Sequence, residues 1–97
     1  MKTIMIIGAG QTQVPLIQAA RRENYYTIVC DADPNAPGVP LVNEYHKVST
    51  KDRDGLLKVA IDKKINGIIA NSDYAMCDVA YLANTLGLVG NPENAIK

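Results

Sequence analysis

Short apolar runs alternate with longer amphipathic stretches along this chain of 97 residues, and this alternation restricts the fold more than any other feature. Residues 3–7, 26–30 and 67–70 are continuous, mostly apolar runs, which is typical of strands covered on both faces. Residues 44–48 alternate polar and apolar side chains, as a strand at the edge of a sheet does. The sequence therefore predicts three central strands and one edge strand.

Helix signals separate these strands. Apolar positions recur with helical spacing in residues 11–24 and 49–64, and Ser49 or Thr50 is the expected N-cap of the second helix. A third helix is expected over residues 71–87. Strands that alternate with helices pair in parallel through right-handed crossovers. We therefore predict a Rossmann-like α/β fold, an open parallel sheet of strand order 3-2-1-4 with helices on both faces and a short fifth strand beyond the fourth.

The last residues open a helix and do not complete it. After the predicted fifth strand at residues 88–89, Asn91 suits an N-cap and Pro92 suits the first helical position. One turn follows, without the residues that usually end a helix. We expect residues 1–90 to form one domain and residues 91–97 to begin a helix that leads to a further domain of a longer parent chain.

Charge and cysteine content restrict the partners and the compartment. Ten basic side chains balance ten acidic ones, so we expect no nucleic-acid partner and no anionic membrane surface. No apolar run approaches the length of a membrane span, and the N-terminus lacks a signal-peptide pattern. Cys30 and Cys77 lie in apolar runs and are expected to be buried thiols. We expect a cytoplasmic protein, and the sequence leaves a homodimer open.

The first candidate site is the loop Gly8-Ala9-Gly10-Gln11-Thr12-Gln13, which follows the first strand. Two glycines allow a sharp turn and let an anion approach the N–H groups at the start of the next helix. A dinucleotide fingerprint has a third glycine where this chain has Gln13, so the match is incomplete. Asp31, at the end of the second strand, is placed to bind a ribose hydroxyl in such a fold. The alternatives are a tight turn without a ligand and a solvated carboxylate.

A second candidate site follows the fourth strand, at Asn71-Ser72-Asp73. With strand order 3-2-1-4 the chain changes direction between the first and fourth strands, and open α/β sheets bind ligands at that point. Asn71 or Ser72 can cap the helix, which leaves the Asp73 carboxylate to accept hydrogen bonds from a substrate. Capping without any substrate contact is the alternative.

Four motifs follow one another along the chain: Ile-Ile-Gly-Ala-Gly-Gln-x-Gln-x-Pro at 6–15, Asp-x-Asp-Pro-Asn-Ala-Pro-Gly at 31–38, Ser-Thr-Lys-Asp at 49–52 and Gly-Leu-x-Gly-Asn-Pro-Glu-Asn-Ala at 87–95. In this order and spacing they resemble the N-terminal domain of ATP-grasp ligases, in particular carbamoyl-phosphate-synthase-like and carboxylate–amine ligase members. The resemblance covers Lys2 to Lys97. In that family this domain precedes the ATP-grasp domain, and the helix with the Asn-Pro-x-x-Ala motif leads towards it.

The resemblance implies an enzyme that forms a C–N bond through an acyl phosphate made from a carboxylate and ATP. It implies ATP and Mg²⁺ as cofactors, bound mainly outside this segment, and a small-molecule carboxylate or amine as substrate. The segment alone is not expected to turn over. By resemblance, its contribution is the wall of the acceptor site, with substrate-binding residues Gly8, Gly10, Gln11, Gln13 and Asp73. Related members that act on ribonucleotides carry other residues where this chain has its Gln-Thr-Gln loop.

Two other functions are compatible with the sequence. A nicotinamide-nucleotide-binding domain of an oxidoreductase is favoured by the two loop glycines and Asp31. It is disfavoured by Gln13 and by the proline-rich loop at residues 33–40, which follows Asp31 where an adenosine would lie. A non-catalytic ligand-sensing module is the third interpretation.

Overall fold

The computed structural model describes residues 2–69, which form a four-stranded parallel sheet and two α-helices. The strands are β1 (Thr3–Ile7), β2 (Tyr26–Cys30), β3 (Glu44–His46) and β4 (Gly67–Ile69). The helices are α1 (Val14–Arg22) and α2 (Arg53–Asp62), and shorter 3₁₀ turns span Gln11–Gln13 and Val39–Leu41. The predicted third helix, fifth strand and final helix opening lie outside the described residues.

The strand order is β3-β2-β1-β4 and every pair is parallel, which confirms the predicted Rossmann-like sheet. β1 pairs with β2 from Thr3 opposite Tyr26 to Ile7 opposite Cys30, and it pairs with β4 on its other side. Because β1 has a neighbour on each side and both of its faces are covered, its sequence is apolar almost throughout. The chain leaves β1 towards β2, whereas β4 lies on the opposite side, so the switch point of the sheet is the carboxyl end of β1.

Successive side chains of a strand point to opposite faces, so each helix covers an apolar core of its own. The core on the α1 face contains Ile4, Ile6, Ala9, Ile17, Ala20, Val29 and Ala36. The core on the α2 face contains Met5, Ile7, Ile28, Cys30, Leu56, Val59, Ala60, Ile65 and Ile68. The prediction of helices on both faces is therefore confirmed.

Helix α1 is shorter than predicted at both ends. A 3₁₀ turn occupies Gln11–Gln13, and the α-helix begins only at Val14. At the other end, Asn24 has a left-handed φ of 65°, which a continuing helix does not permit. The Tyr25 N–H donates to the Ala20 carbonyl at 3.1 Å and closes a Schellman motif. The helix therefore ends at Arg22 rather than at the predicted Asn24.

Helix α2 has a different N-cap from the one predicted. Asp52 is the cap, and its Oδ1 accepts the Gly55 N–H at 3.0 Å. The prediction of Ser49 or Thr50 was wrong, because the Ser49 hydroxyl instead accepts the Lys51 N–H at 3.1 Å in the preceding turn. The buried face of α2 does not include Ile61, whose side chain is 55% exposed.

Candidate functional site

The glycine loop, residues 8–13, lies at the carboxyl end of β1, at the switch point of the sheet. Gly8 has a φ of +95°, which side chains rarely permit, so the turn requires glycine at this position. Its N–H donates to the Cys30 carbonyl at 2.7 Å and extends the pairing of β1 with β2 beyond the strand. The chain then turns away from the sheet, and Gly10 is the N-cap of the 3₁₀ turn.

Asp31 fixes the backbone N–H of Ala9, the second residue of the glycine loop. Its Oδ2 accepts the Ala9 N–H at 2.8 Å, and its Oδ1 accepts the Asp33 N–H at 2.9 Å. Its backbone joins β3, because its N–H donates to the His46 carbonyl at 3.2 Å and Tyr45 Oη donates to its carbonyl at 2.8 Å. The carboxylate therefore orders the loop, a role that the spacing of Asp31 from the glycines did not reveal.

The Gln13 side chain fills the inside of the glycine loop. Its side chain is buried, with 6% exposure, although the residue is polar and lies next to a turn. Its Oε1 accepts the Gly10 N–H at 2.9 Å, and its own backbone N–H donates to the Gly10 carbonyl at 3.0 Å. A Cβ atom at Gly8 would lie 3.3 Å from Gln13 Cδ, so the carboxamide packs directly against that glycine. This reciprocal pair holds the first turn of the helix on the loop.

Residues 33–42 fold back against the glycine loop. The Gly38 N–H donates to the Ala9 carbonyl at 2.7 Å, and Ala36 is buried in the core of the α1 face. A Cβ atom at Gly38 would lie 2.6 Å from Ile17 Cδ1 and 2.8 Å from the Ala9 carbonyl oxygen, so the close approach requires glycine. Within this segment the structure contains a 3₁₀ turn at Val39–Leu41, where the sequence predicted no regular structure up to residue 40.

The structure brings together most of the predicted site residues. The Gln13 side chain lies against Gly8 and Gly10 within the loop, and Gln11, next after Gly10, has an exposed side chain. Asp73 lies outside the described residues, so its position relative to the loop stays a prediction. The part of the site that the structure describes is thus one ordered turn at the end of the central strand.

A polar cluster at the edge of the sheet was missed by sequence reasoning. Glu44 Oε1 accepts a hydrogen bond from Tyr26 Oη at 2.9 Å, and Oε2 lies 2.5 Å from His46 Nε2 and 2.9 Å from Lys63 Nζ. Desolvation opposes the ionisation of Glu44, but the hydrogen bonds from Lys63, His46 and Tyr26 outweigh it and lower the pKa of Glu44 to about 2. The alternation of β3 places Glu44 and His46 on one face, which is a signal for this pair.

The described residues include one free thiol, Cys30, which is buried as predicted. Burial raises the pKa of the Cys30 thiol to about 12, and the nearby Glu44 charge acts in the same direction. Cys77 lies outside the described residues. Within residues 2–69 no group of three or more His, Cys, Asp or Glu side chains is arranged to hold a metal ion. Over the same residues, no helix combines the length and the apolar character needed to cross a membrane.

Known proteins resemble this chain in sequence family and in fold. Residues 1–79 match the family model of the ribonucleotide synthetase preATP-grasp domain. The structure is similar to phosphoribosylglycinamide synthetase from Anaerococcus prevotii, with a TM-score of 0.79 and 26% identity over 91% of this chain and 23% of that chain.

Two further solved structures show the same fold at lower identity. N5-carboxyaminoimidazole ribonucleotide synthetase from Thermotoga maritima gives a TM-score of 0.77 and 23% identity, over 93% of this chain and 24% of that chain. N5-carboxyaminoimidazole synthetase from Staphylococcus aureus, complexed with ADP, gives a TM-score of 0.75 and 22% identity, over 94% of this chain and 23% of that chain. The chain therefore spans less than a quarter of the length of these solved proteins.

Proposed function

The chain belongs to the family of ribonucleotide synthetase preATP-grasp domains, and on that premise we propose that it is the N-terminal, substrate-side domain of an ATP-dependent ligase. The reaction is the formation of a C–N bond through an acyl phosphate. The substrates are a small-molecule carboxylate and an amine, and the compartment is the cytoplasm. In this assignment the domain binds and orients the acceptor and does not turn over alone.

The glycine loop is the observation that supports this function most directly. It lies at the switch point of the sheet, where open α/β folds bind ligands. Asp31, Gln13 and Gly38 hold it by hydrogen bonds of 2.7–2.9 Å, so the loop is ordered before any ligand arrives. A binding wall held in this way loses little conformational entropy when a substrate binds.

The residues of the acceptor wall come from two elements. Gly8, Gly10, Gln11 and Gln13 line it from the carboxyl end of β1, and Asp73 completes it after β4. The exposed Gln11 carboxamide offers both a hydrogen-bond donor and an acceptor. Asp73 adds a carboxylate that accepts hydrogen bonds from an amine or hydroxyl group of the substrate.

ATP and Mg²⁺ belong to the part of the parent protein outside this domain. The sequence contains no P-loop, and residues 2–69 contain no side-chain cluster suited to a metal ion. The relative from Staphylococcus aureus was solved with ADP, and less than a quarter of that protein corresponds to this chain. When bound, ATP supplies the phosphoryl group that activates the carboxylate, while the residues of this domain hold the acceptor.

The nicotinamide-nucleotide alternative has less support. Both oxygens of the Asp31 carboxylate already accept N–H groups of the protein, at 2.8 and 2.9 Å. The hydrogen bond from Gly38 to the Ala9 carbonyl also draws the proline-rich loop against the glycine loop. A ribose at Asp31 would have to share the carboxylate with these two N–H groups.

An ADP-release assay on the full-length protein tests this function. Mg²⁺ and ATP are supplied with a panel of small carboxylates and amines that includes ribonucleotide amines, and each pair is compared with either member alone. We expect ADP release that requires both a carboxylate and an amine. Specific NADH binding without ADP release would favour the oxidoreductase, and the absence of both would favour a ligand sensor.

A further inference from the structure

The glycine loop has the backbone form that binds phosphate in other proteins, with consecutive N–H groups at the start of a helix. In this protein the first three of these N–H groups already have acceptors. The Gly8 N–H donates to the Cys30 carbonyl at 2.7 Å, the Ala9 N–H to Asp31 Oδ2 at 2.8 Å and the Gly10 N–H to Gln13 Oε1 at 2.9 Å. Groups of the same chain therefore satisfy the N–H groups of both glycines and of Ala9.

We propose that the Gln13 carboxamide takes the place of a ligand's anionic group in the glycine loop, so that the loop selects an acceptor that brings no phosphate to it. A Cβ atom would lie 3.3 Å from Gln13 Cδ if built on Gly8 and 3.1 Å from Gln13 Oε1 if built on Gly10. The carboxamide thus packs against both glycines, and the second of them is the position where a dinucleotide loop lets a pyrophosphate approach the backbone.

Asp31, like Gln13, opposes the binding of a phosphate to the glycine loop. Its carboxylate accepts the Ala9 N–H, so a negative charge already stands at the middle of the loop. A phosphate bound to the neighbouring N–H groups would lie within a few ångströms of that carboxylate, and like charges repel at this distance. The loop thus holds one internal anion and one internal carbonyl oxygen where a phosphate would otherwise bind.

The chemical class of the acceptor substrate follows from the polar group that the loop still exposes. Gln11 has an exposed, neutral carboxamide beside the saturated N–H groups. Such a group forms hydrogen bonds with hydroxyl, amine and amide groups. The acceptor end that meets this loop is therefore uncharged or an amine. This identification of an acceptor rests on the proposed function, whereas the hydrogen bonds of the Gly8, Ala9 and Gly10 N–H groups do not.

Amide hydrogen exchange and phosphate titration test this inference on the full-length protein labelled with ¹⁵N-glycine. The Gly10 signal is assigned by its loss in Gly10→Ala. In the wild-type protein we expect slow exchange of the Gly10 amide and no shift with inorganic phosphate or ribose 5-phosphate at about 20 mM. In Gln13→Ala we expect at least about tenfold faster exchange of the Gly10 amide, and in Gln13→Ala combined with Asp31→Asn we expect a saturable shift with phosphate. Gln18→Ala, at an exposed glutamine of α1, should behave like the wild-type protein.

Three results would overturn the inference. They are a saturable phosphate shift of Gly10 in the wild-type protein, unchanged Gly10 exchange in Gln13→Ala, and no response to phosphate when Gln13→Ala is combined with Asp31→Asn. The wild-type titration does not depend on the folding of a variant, and Gln13→Gly provides a second variant with the same expectations. ADP release by the same preparation tests the ligase function separately. A failure of the proposed function can therefore be distinguished from a failure of the inference about the loop.

Discussion

Individual side chains determine the shape of the glycine loop. Asp31 and Gln13 each accept one loop N–H, and the Ala9 carbonyl accepts a third hydrogen bond, from Gly38. Ala9 is fully buried, so its N–H has no access to water and depends on the Asp31 carboxylate. The residue types at these positions are therefore explained by the backbone groups that they satisfy.

Asp31→Ala should lower the free energy of unfolding by about 1–3 kcal/mol, because it leaves the buried Ala9 N–H without its acceptor. Asp33→Ala is the matched control, since Asp33 Oδ1 accepts an exposed N–H, that of Asn35. Its loss should cost less than about 1 kcal/mol. Urea unfolding curves of the two variants give both values, and equal losses would contradict the assigned role of Asp31.

The sequence predicted which residues flank the site but not how they bond. The spacing of the glycines and Asp31 identified the turn and the end of β2. The hydrogen bond between Ala9 and Asp31 joins residues 22 positions apart, and it becomes visible only once β1 and β2 are paired. Gln13 was predicted as a replacement of the third glycine and, by resemblance, as a substrate-binding residue. Its inward orientation was not predicted, because it depends on the position of the Gly10 N–H.

At the scale of the elements, both helices end in the same way. Asn24 and Lys64 adopt left-handed φ values of 65° and 51°, and the following residues donate back to Ala20 and Ala60. Glycine usually occupies this position of a Schellman motif, because a Cβ atom destabilises the left-handed conformation. Asparagine tolerates it better than lysine, so the end of α2 holds the more strained residue.

Lys64→Gly should raise the free energy of unfolding by about 1 kcal/mol, because glycine adopts the observed φ of 51° without steric cost. Lys58→Gly, at an exposed position inside α2, is the matched control and should lower it by about 1 kcal/mol. Thermal and urea unfolding measure both changes. Destabilisation by Lys64→Gly would show that the lysine side chain stabilises the helix end.

The Glu44 cluster makes the contact between β3 and α2 dependent on pH. Glu44 has a pKa of about 2 in the folded protein against an ordinary value of 4.5, so its ionised form stabilises the fold. This contribution is present above about pH 4.5 and is lost as the pH falls towards about 2. Glu44→Gln should therefore be less stable than the wild-type protein near neutral pH, and the difference should shrink within this window. A difference in urea midpoint that stays constant with pH would contradict the role of Glu44.

The three strands that are apolar runs, β1, β2 and β4, were predicted almost to the residue, because each run is bounded by polar residues or glycine. The N-cap of α2 was not predicted correctly, since Ser49, Thr50 and Asp52 are all suitable N-cap residues. The choice depends on where the chain leaves β3, and β3 ends at His46 rather than at the predicted Val48. Tertiary pairing of the edge strand therefore decides what local sequence leaves ambiguous.

At the scale of the whole molecule, the sheet order brings the glycine loop to the one edge where an open α/β sheet binds ligands. The family match covers residues 1–79 and includes this loop. The strand order was predictable from the alternation of strands and helices and from crossover handedness. The contribution of Asp73 was predicted from the same topology and stays a prediction.

Steady-state kinetics of the full-length protein, with the acceptor and ATP varied in turn, test most directly whether this domain forms the acceptor wall. Asp73→Asn should raise KM for the acceptor, or lower kcat/KM for it, by about tenfold to a hundredfold, because it removes a charge-assisted hydrogen bond. In Asp73→Asn, KM for ATP and the melting temperature should stay near their wild-type values. The control variant Asp54→Asn, at an exposed carboxylate of α2, should leave the kinetics of both the acceptor and ATP unchanged. Unchanged acceptor kinetics in an Asp73→Asn protein of normal stability, or an equal rise in KM for ATP, would contradict the acceptor-wall assignment.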